Sequence, residues 1–125
     1  MSEVAIQERY LELLRRGGEP ETYLAGETIF AQGDPAERMY VVDSGTVELQ
    51  VGEHVVEVVG PGGFFGEMAV IDREPRSASA VAASECGVIA IEKRRFWFLV
   101  QETPYFAEIV MRVMAARLRR EDARV

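Results

Sequence analysis

The chain has 125 residues, of which 48% are hydrophobic and 28% charged, and this suits a globular domain with one core. Its formal net charge of −7 argues against broad nucleic-acid binding, which needs a positive surface field. The lone cysteine, Cys86, excludes an intrachain disulfide framework, and no apolar run is long enough to cross a membrane. We therefore expect a cytoplasmic protein without nucleic-acid or membrane partners.

Residues 1–18 are predicted to form the first element, an amphipathic helix. Two glycines, Gly17 and Gly18, end it, because glycine is common at helix C-termini. Apolar residues recur before them at helical spacing: Ile6, Tyr10, Leu13 and Leu14.

Residues 20–91 have the pattern of an antiparallel β-structure, in which short apolar runs alternate with glycine turns. Many short strands at this spacing predict a sandwich or barrel, such as a jelly roll. Five runs are predicted to be strands: Thr28–Phe30, Met39–Val42, Val47–Val51, Val55–Val59 and Gly87–Ile91.

Residues 92–125 are predicted to form two helices, the first over Glu92–Val100. Thr103 suits the N-cap of the second and Pro104 its first position. Three partners fit the apolar stripe of this last helix: the chain's own barrel, a bound ligand, or the same helix of a second copy. We therefore predict a single domain, mainly β, formed by an antiparallel jelly-roll barrel with one N-terminal and two C-terminal helices.

The richest group of polar residues lies in 64–78. A turn at Gly66 lets a ligand approach the backbone closely, and free N–H groups at such a turn bind an anion. Arg76, expected on the next strand, offers a planar fork for two phosphate oxygens, and Ser77 adds a hydroxyl. Glu67 would repel an anion unless it accepts a hydrogen bond from a sugar hydroxyl. The group therefore predicts a ligand with both a phosphate and a sugar hydroxyl.

Phe65-Gly66-Glu67-Met68-Ala69 and Pro75-Arg76-Ser77-Ala78 resemble the phosphate-binding cassette of the cyclic nucleotide-binding domain. This family includes the catabolite activator protein, protein kinase A regulatory subunits and cyclic-nucleotide-gated channels. Segments before the cassette look like the family's first hairpins: Gly26-Glu27, Ile29-Phe30, Gly33-Asp34, Met39–Val42 and Gly45–Val47. The resemblance implies a regulatory module that binds cAMP or cGMP and is not an enzyme.

The resemblance also implies a role for each matching residue. Arg76 would bind the exocyclic phosphate oxygens, Glu67 would accept from the ribose 2′-hydroxyl, and Ser77 would contact the phosphate or the base edge. Members that prefer cGMP commonly carry threonine after the arginine, so Ser77 resembles the cAMP-binding members. The implied ligand set is Phe65, Gly66, Glu67, Met68, Ala69, Arg76 and Ser77, and the implied lid over the base is drawn from Met114, Arg117, Leu118, Arg119 and Arg120.

Two alternatives stand beside this interpretation. A metal enzyme on a similar barrel needs two or three histidines, and the chain has one, so we expect no metal, no cofactor and no catalysis. A vestigial cassette would leave Arg76 and Glu67 as an ion pair at a turn, in a module used for protein interaction or dimerisation. In either reading of the cassette, the expected protein partner is an effector or a second copy bound through the C-terminal helix.

Overall fold

A computed structural model describes residues 3–72 and 74–124, which form two compact units with the boundary after Lys93. The first unit opens with helix α1 (Glu3–Gly17) and contains one further helical turn, α2 (Met68–Ile71). Its strands are β1 (Glu19–Tyr23), β2 (Thr28–Phe30), β3 (Arg38–Ser44), β4 (Val47–Val51), β5 (His54–Val59), β6 (Phe64–Phe65), β7 (Ser79–Ala82) and β8 (Cys86–Glu92).

The strands form two antiparallel four-stranded sheets, ordered β1-β8-β3-β6 and β2-β7-β4-β5. This confirms the predicted fold class, a mainly β jelly roll with flanking helices. Their inward faces share one apolar core, because alternate residues of each strand point to the same side of a sheet. The core residues include Tyr40, Val42, Val47, Val59, Phe65, Ala80, Ala82, Cys86, Val88 and Ala90.

Helix α1 is tied to the sheet that contains β3 and β8. At its end, a Cβ added to Gly18 would lie 2.2 Å from the Ile89 side chain, so only glycine fits against β8 there. Arg15 Nε donates to Asp43 Oδ1 at 3.1 Å and links the helix to β3. Residues 1 and 2 of the predicted first helix lie outside the described residues.

The second unit begins one residue into α3 (Lys93–Glu102) and also contains α4 (Pro104–Arg124). Thr103 separates them: its N–H donates to Leu99 O at 2.8 Å, and its carbonyl accepts from Phe106 N–H at 3.0 Å. The second helix therefore begins at Pro104, as its sequence predicts. Within the unit, the Phe96 and Phe106 rings meet edge to face, with centroids 5.8 Å apart.

The cassette connects the two sheets of the first unit. Phe65 of β6 pairs with Tyr40 of β3, so the chain leaves the edge of one sheet and enters α2 directly afterwards. It then returns to β7, which belongs to the other sheet and pairs with β2 through Ala80 and Phe30. Residues of β2 and β3 are thereby brought next to the cassette.

Candidate functional site

Arg76 lies in the loop between α2 and β7, three residues before the strand, and not on the strand where we expected it. Its backbone is held by the loop that joins β2 and β3. Its N–H donates to Asp34 O at 2.9 Å, and its carbonyl accepts from Gly33 N–H at 2.8 Å. These two backbone hydrogen bonds take the place of strand pairing and fix the point from which the side chain extends.

The Arg76 side chain turns inward and is only 8% exposed. Nη1 donates to Gly66 O at 3.2 Å and Nη2 to Arg38 O at 2.8 Å. Its Cζ lies 4.0 Å from the centroid of the Phe30 ring. Within the described residues, Nε is buried without a hydrogen-bond partner. Burial lowers the pKa of Arg76, yet a guanidinium stays charged in proteins, so the site holds a buried cation with an unused donor.

Gly66 makes this close approach possible. Its φ of +76° lies in the left-handed region that L side chains avoid. A Cβ at this position would lie 2.7 Å from Arg76 Nη1 and 3.4 Å from the Phe30 ring. The glycine therefore gives both the turn and the space that the guanidinium occupies.

The Phe30 ring lies beneath the guanidinium, and the rings of Tyr40 and Phe65 pack against Phe30. Tyr40 and Phe65 are stacked, with centroids 5.3 Å apart, and Phe30 lies 5.8 Å from each of them. Phe65 is fully buried in this cluster. Its predicted contact with a ligand stays a prediction.

The remaining cassette residues follow Gly66 or Arg76 directly. Glu67 precedes α2 and is 5% exposed, whereas Met68 is 41% exposed. Ala69 is buried, and its N–H donates to Gly66 O at a long 3.3 Å. Ser77 is exposed beside Arg76. The structure thus brings Gly66 and Arg76 into contact, while the individual roles of Glu67, Met68, Ala69 and Ser77 stay predictions.

A second arginine, Arg38, was missed by the sequence reasoning. Its Nη1 lies 3.1 Å from Glu21 Oε2, and its Nη2 donates to Tyr40 Oη at 2.9 Å. Burial lowers the pKa of Arg38, but Tyr40 and Glu21 outweigh this, so the pKa is raised overall. The signal in the sequence was the alternation Arg38, Tyr40, Val42, which places a charged residue on the inward face of β3.

The implied lid residues all belong to α4, in the second unit. Leu118 is 58% exposed, and Arg119 and Arg120 are exposed too, whereas Met114 and Arg117 are partly buried. Their role over a base stays a prediction.

Within the described residues, no group of three or more His, Cys, Asp and Glu side chains is placed to hold a metal ion, and no helix is both long and apolar enough to span a membrane.

Comparison with known proteins bears directly on this site. The profile described as the cyclic nucleotide-binding domain matches residues 20–103, which include the whole cassette. The chain belongs to the cyclic nucleotide-binding domain family. This confirms the resemblance on which the assignment of the cassette rests.

Individual members of the family agree with the match. A CRP-like cAMP-activated global transcriptional regulator of Mycobacterium tuberculosis is 31% identical over 109 residues, covering 83% of this chain and 49% of the relative. The crystal structure of Thermus thermophilus catabolite activator protein has a TM-score of 0.81 and 31% identity, over 93% of this chain and 57% of that one. A structure from work on a cyclic-GMP-dependent signalling pathway in bacterial phytopathogenesis has a TM-score of 0.78 and 27% identity, over 96% and 95%.

The chain spans about half the length of the curated relatives it matches. By their names these relatives are regulators, which agrees with the expectation of a regulatory module. What those longer proteins bind or control is stated here of those proteins alone.

Proposed function

We propose that this chain is a regulatory module that binds a cyclic nucleotide, cAMP in preference to cGMP, with its phosphate on Arg76. The observation that carries the proposal is the buried guanidinium with an unused Nε donor. A buried charge is costly unless a partner of opposite sign offsets it, and an exocyclic phosphate oxygen is such a partner. The names of the relatives support cAMP, and Ser77 after the arginine supports the same choice.

The neighbouring residues suit the rest of such a ligand. Glu67 lies one residue from the turn and accepts the ribose 2′-hydroxyl in the proposed complex, while Met68 and Ala69 offer main-chain groups to the sugar-phosphate. The Phe30 ring gives the Arg76 guanidinium a flat, apolar floor, which lowers the local dielectric constant and strengthens the interaction with an anion.

The output of the module is a movement of α4. In the proposed mechanism this helix passes from a loose or partner-bound arrangement to one folded over the base, with Met114, Arg117, Leu118 and Arg120 as lid candidates. A ligand drives such a change only through its different affinities for the two arrangements. The partner is an effector protein or a second copy of the chain.

Titration calorimetry with cAMP and with cGMP tests the proposal. The parent is expected to bind both nucleotides, and cAMP more tightly. Arg76→Ala is expected to lose about 2–5 kcal/mol of the binding free energy, because it leaves the phosphate without its buried counter-charge. Arg16→Ala is the matched control, because it removes the same charge at an exposed position on α1. Equal affinity in Arg76→Ala and the parent would show that the site is wrongly assigned. A folded parent that binds neither nucleotide would favour the vestigial module instead.

A further inference from the structure

A polar network runs from the edge strand β1 to the start of β3. Tyr23 Oη donates to Glu21 Oε1 at 2.7 Å, and Glu21 Oε2 lies 3.1 Å from Arg38 Nη1. Arg38 Nη2 then donates to Tyr40 Oη at 2.9 Å. Four side chains from two strands are thus joined in one line, with β8 lying between the strands.

This network differs from an ordinary surface ion pair. The side chains of Glu21 and Arg38 are 25% and 28% exposed, so water screens them only in part. The Arg38 guanidinium is held on one side by a carboxylate and on the other by a phenol, and Glu19 Oε2 lies 3.9 Å from Nη1. Partly buried networks of this kind restrict the geometry of the backbone that carries them.

Arg38 is linked to Arg76 by two routes. Its main-chain carbonyl accepts the 2.8 Å hydrogen bond from Arg76 Nη2. Its side chain holds Tyr40, whose ring lies 5.3 Å from Arg38 Cζ, 5.8 Å from Arg76 Cζ and 5.8 Å from Phe30. Phe30 in turn is the ring on which Arg76 stacks. A displacement at the start of β3 would therefore move both an acceptor and the floor of the guanidinium.

We propose that Glu21 and Arg38 are positioning residues for Arg76. Their ion pair fixes the start of β3, and this keeps the Arg38 carbonyl and the Tyr40 ring where they aim the Arg76 fork at the phosphate. The part of this inference that concerns a phosphate rests on the proposed function. Its first consequence, an oriented Arg76, is a property of the free protein and is measured without a ligand.

The first experiment measures solvent exchange of the Arg76 Nε–H by NMR in the free protein, assigned with Arg76→Lys. The parent is expected to exchange slowly, because Nε is buried. Glu21→Ala is expected to exchange about tenfold faster, because the loss of one hydrogen bond between charged groups removes enough stabilisation for a change of that size. Asp43→Ala is the matched control: it removes the carboxylate partner of Arg15 on the same strand, at the end away from Arg38. Equal exchange in Glu21→Ala and Asp43→Ala overturns the proposal.

The second experiment compares the two phosphorothioate diastereomers of cAMP, in which sulfur replaces one or the other exocyclic oxygen. A substitution that only loosens the structure weakens the binding of both diastereomers by the same factor. A substitution that misdirects the Arg76 guanidinium changes the ratio of the two affinities. We expect that ratio to change about tenfold in Glu21→Ala and in Arg38→Met, and to stay at the parent value in Asp43→Ala. Because the Arg38 main chain is kept in each variant, its carbonyl can shift but is never lost as an acceptor for Arg76 Nη2.

The two experiments separate the two proposals. If the parent binds no nucleotide, the proposed function fails, and the exchange rates still decide whether Glu21 orients Arg76. If the parent binds and Arg76→Ala does not, while Glu21→Ala leaves both the exchange rate and the diastereomer ratio unchanged, only the positioning role fails. The double variant Glu21→Ala with Arg38→Met is compared with the two single variants. If its exchange rate and its diastereomer ratio are changed no more than theirs, the two residues act through one shared network.

Discussion

At the scale of single residues, Gly66 shows how one position combines a backbone and a side-chain requirement. Gly66→Ala is expected to cost about 1–3 kcal/mol of the free energy of unfolding, because alanine is strained at a φ of +76°. It is also expected to weaken nucleotide binding, since its Cβ would lie 2.7 Å from Arg76 Nη1 and displace the guanidinium. Urea unfolding measures the first effect and calorimetric titration the second.

Gly26→Ala is the control for this prediction. Gly26 has a similar φ of +89°, but a Cβ there would meet nothing within 4 Å. Both variants should therefore lose stability, and only Gly66→Ala should lose affinity. An unchanged affinity in Gly66→Ala would mean that the position of the Arg76 fork does not matter for binding.

Glu67 is the residue that distinguishes a ribose from a deoxyribose in the proposed complex. The parent should prefer cAMP over 2′-deoxy-cAMP by about 1.5–3 kcal/mol, the range for a hydrogen bond to a charged group. Glu67→Gln should narrow this preference without abolishing it, because an amide oxygen still accepts a hydrogen bond. Competition binding with the two nucleotides measures the difference. Equal affinity of the parent for both would remove Glu67 from the ribose role.

At the scale of elements, the sequence predicted five of the strands, all of which carry large apolar residues. Thr28–Phe30 and Val47–Val51 are found with the predicted bounds, and the other three runs differ by one or two residues at their ends. Three strands were not among these five runs. The strand β6 has only two residues, Phe64 and Phe65, and the other two have small or polar residues: β7 is Ser-Ala-Val-Ala, and β1 contains two glutamates and Pro20. Proline is tolerated in β1 because this strand lies at the edge of its sheet.

The candidate site also has one part that neighbouring residues in the sequence predict and another part that they do not. The order and spacing of Gly66, Glu67 and Arg76 are local, and from them the sequence predicted the family that the profile match confirms. Phe30 and Arg38 were not predicted as partners of Arg76. They are far from it along the chain, and only the pairing of strands in two sheets brings them there. A pattern of single residues does not encode that pairing.

The network around Arg38 is a second case of this limit. Arg38 directly precedes the predicted run Met39–Val42 and shares a strand face with Tyr40 and Val42, but its partner Glu21 lies on a strand that the sequence did not predict. A charged residue on the inward face of a predicted strand is therefore a useful sign of a polar network, even when the partner is unknown.

At the scale of the whole molecule, net charge and site charge oppose one another. The chain carries −7, so its overall field repels an anionic nucleotide, and binding must come from short-range contacts. A buried fork of donors against an apolar floor supplies contacts of that kind, since salt screens them less than surface charges. This is why the proposal depends on Arg76 and not on the arginines that crowd the end of α4.

The movement of α4 is the property by which the module would signal. If the helix folds over the bound base, saturating cAMP should slow amide hydrogen exchange across residues 104–121 as well as across residues 64–80. Hydrogen exchange read by mass spectrometry measures both segments in one experiment. Arg76→Ala at the same cAMP concentration is the control, and neither segment should change in it.

Protection confined to residues 64–80 would leave the binding site in place but contradict the lid. The helix can shift only as far as the ligand's differential affinity for the two arrangements allows, so a reversal from 1:99 to 99:1 needs about 5.5 kcal/mol. Contacts from Met114, Arg117, Leu118 or Arg120 to the base are the proposed source of that difference. Truncating those that carry it should therefore remove the protection of α4 while the protection of the cassette stays.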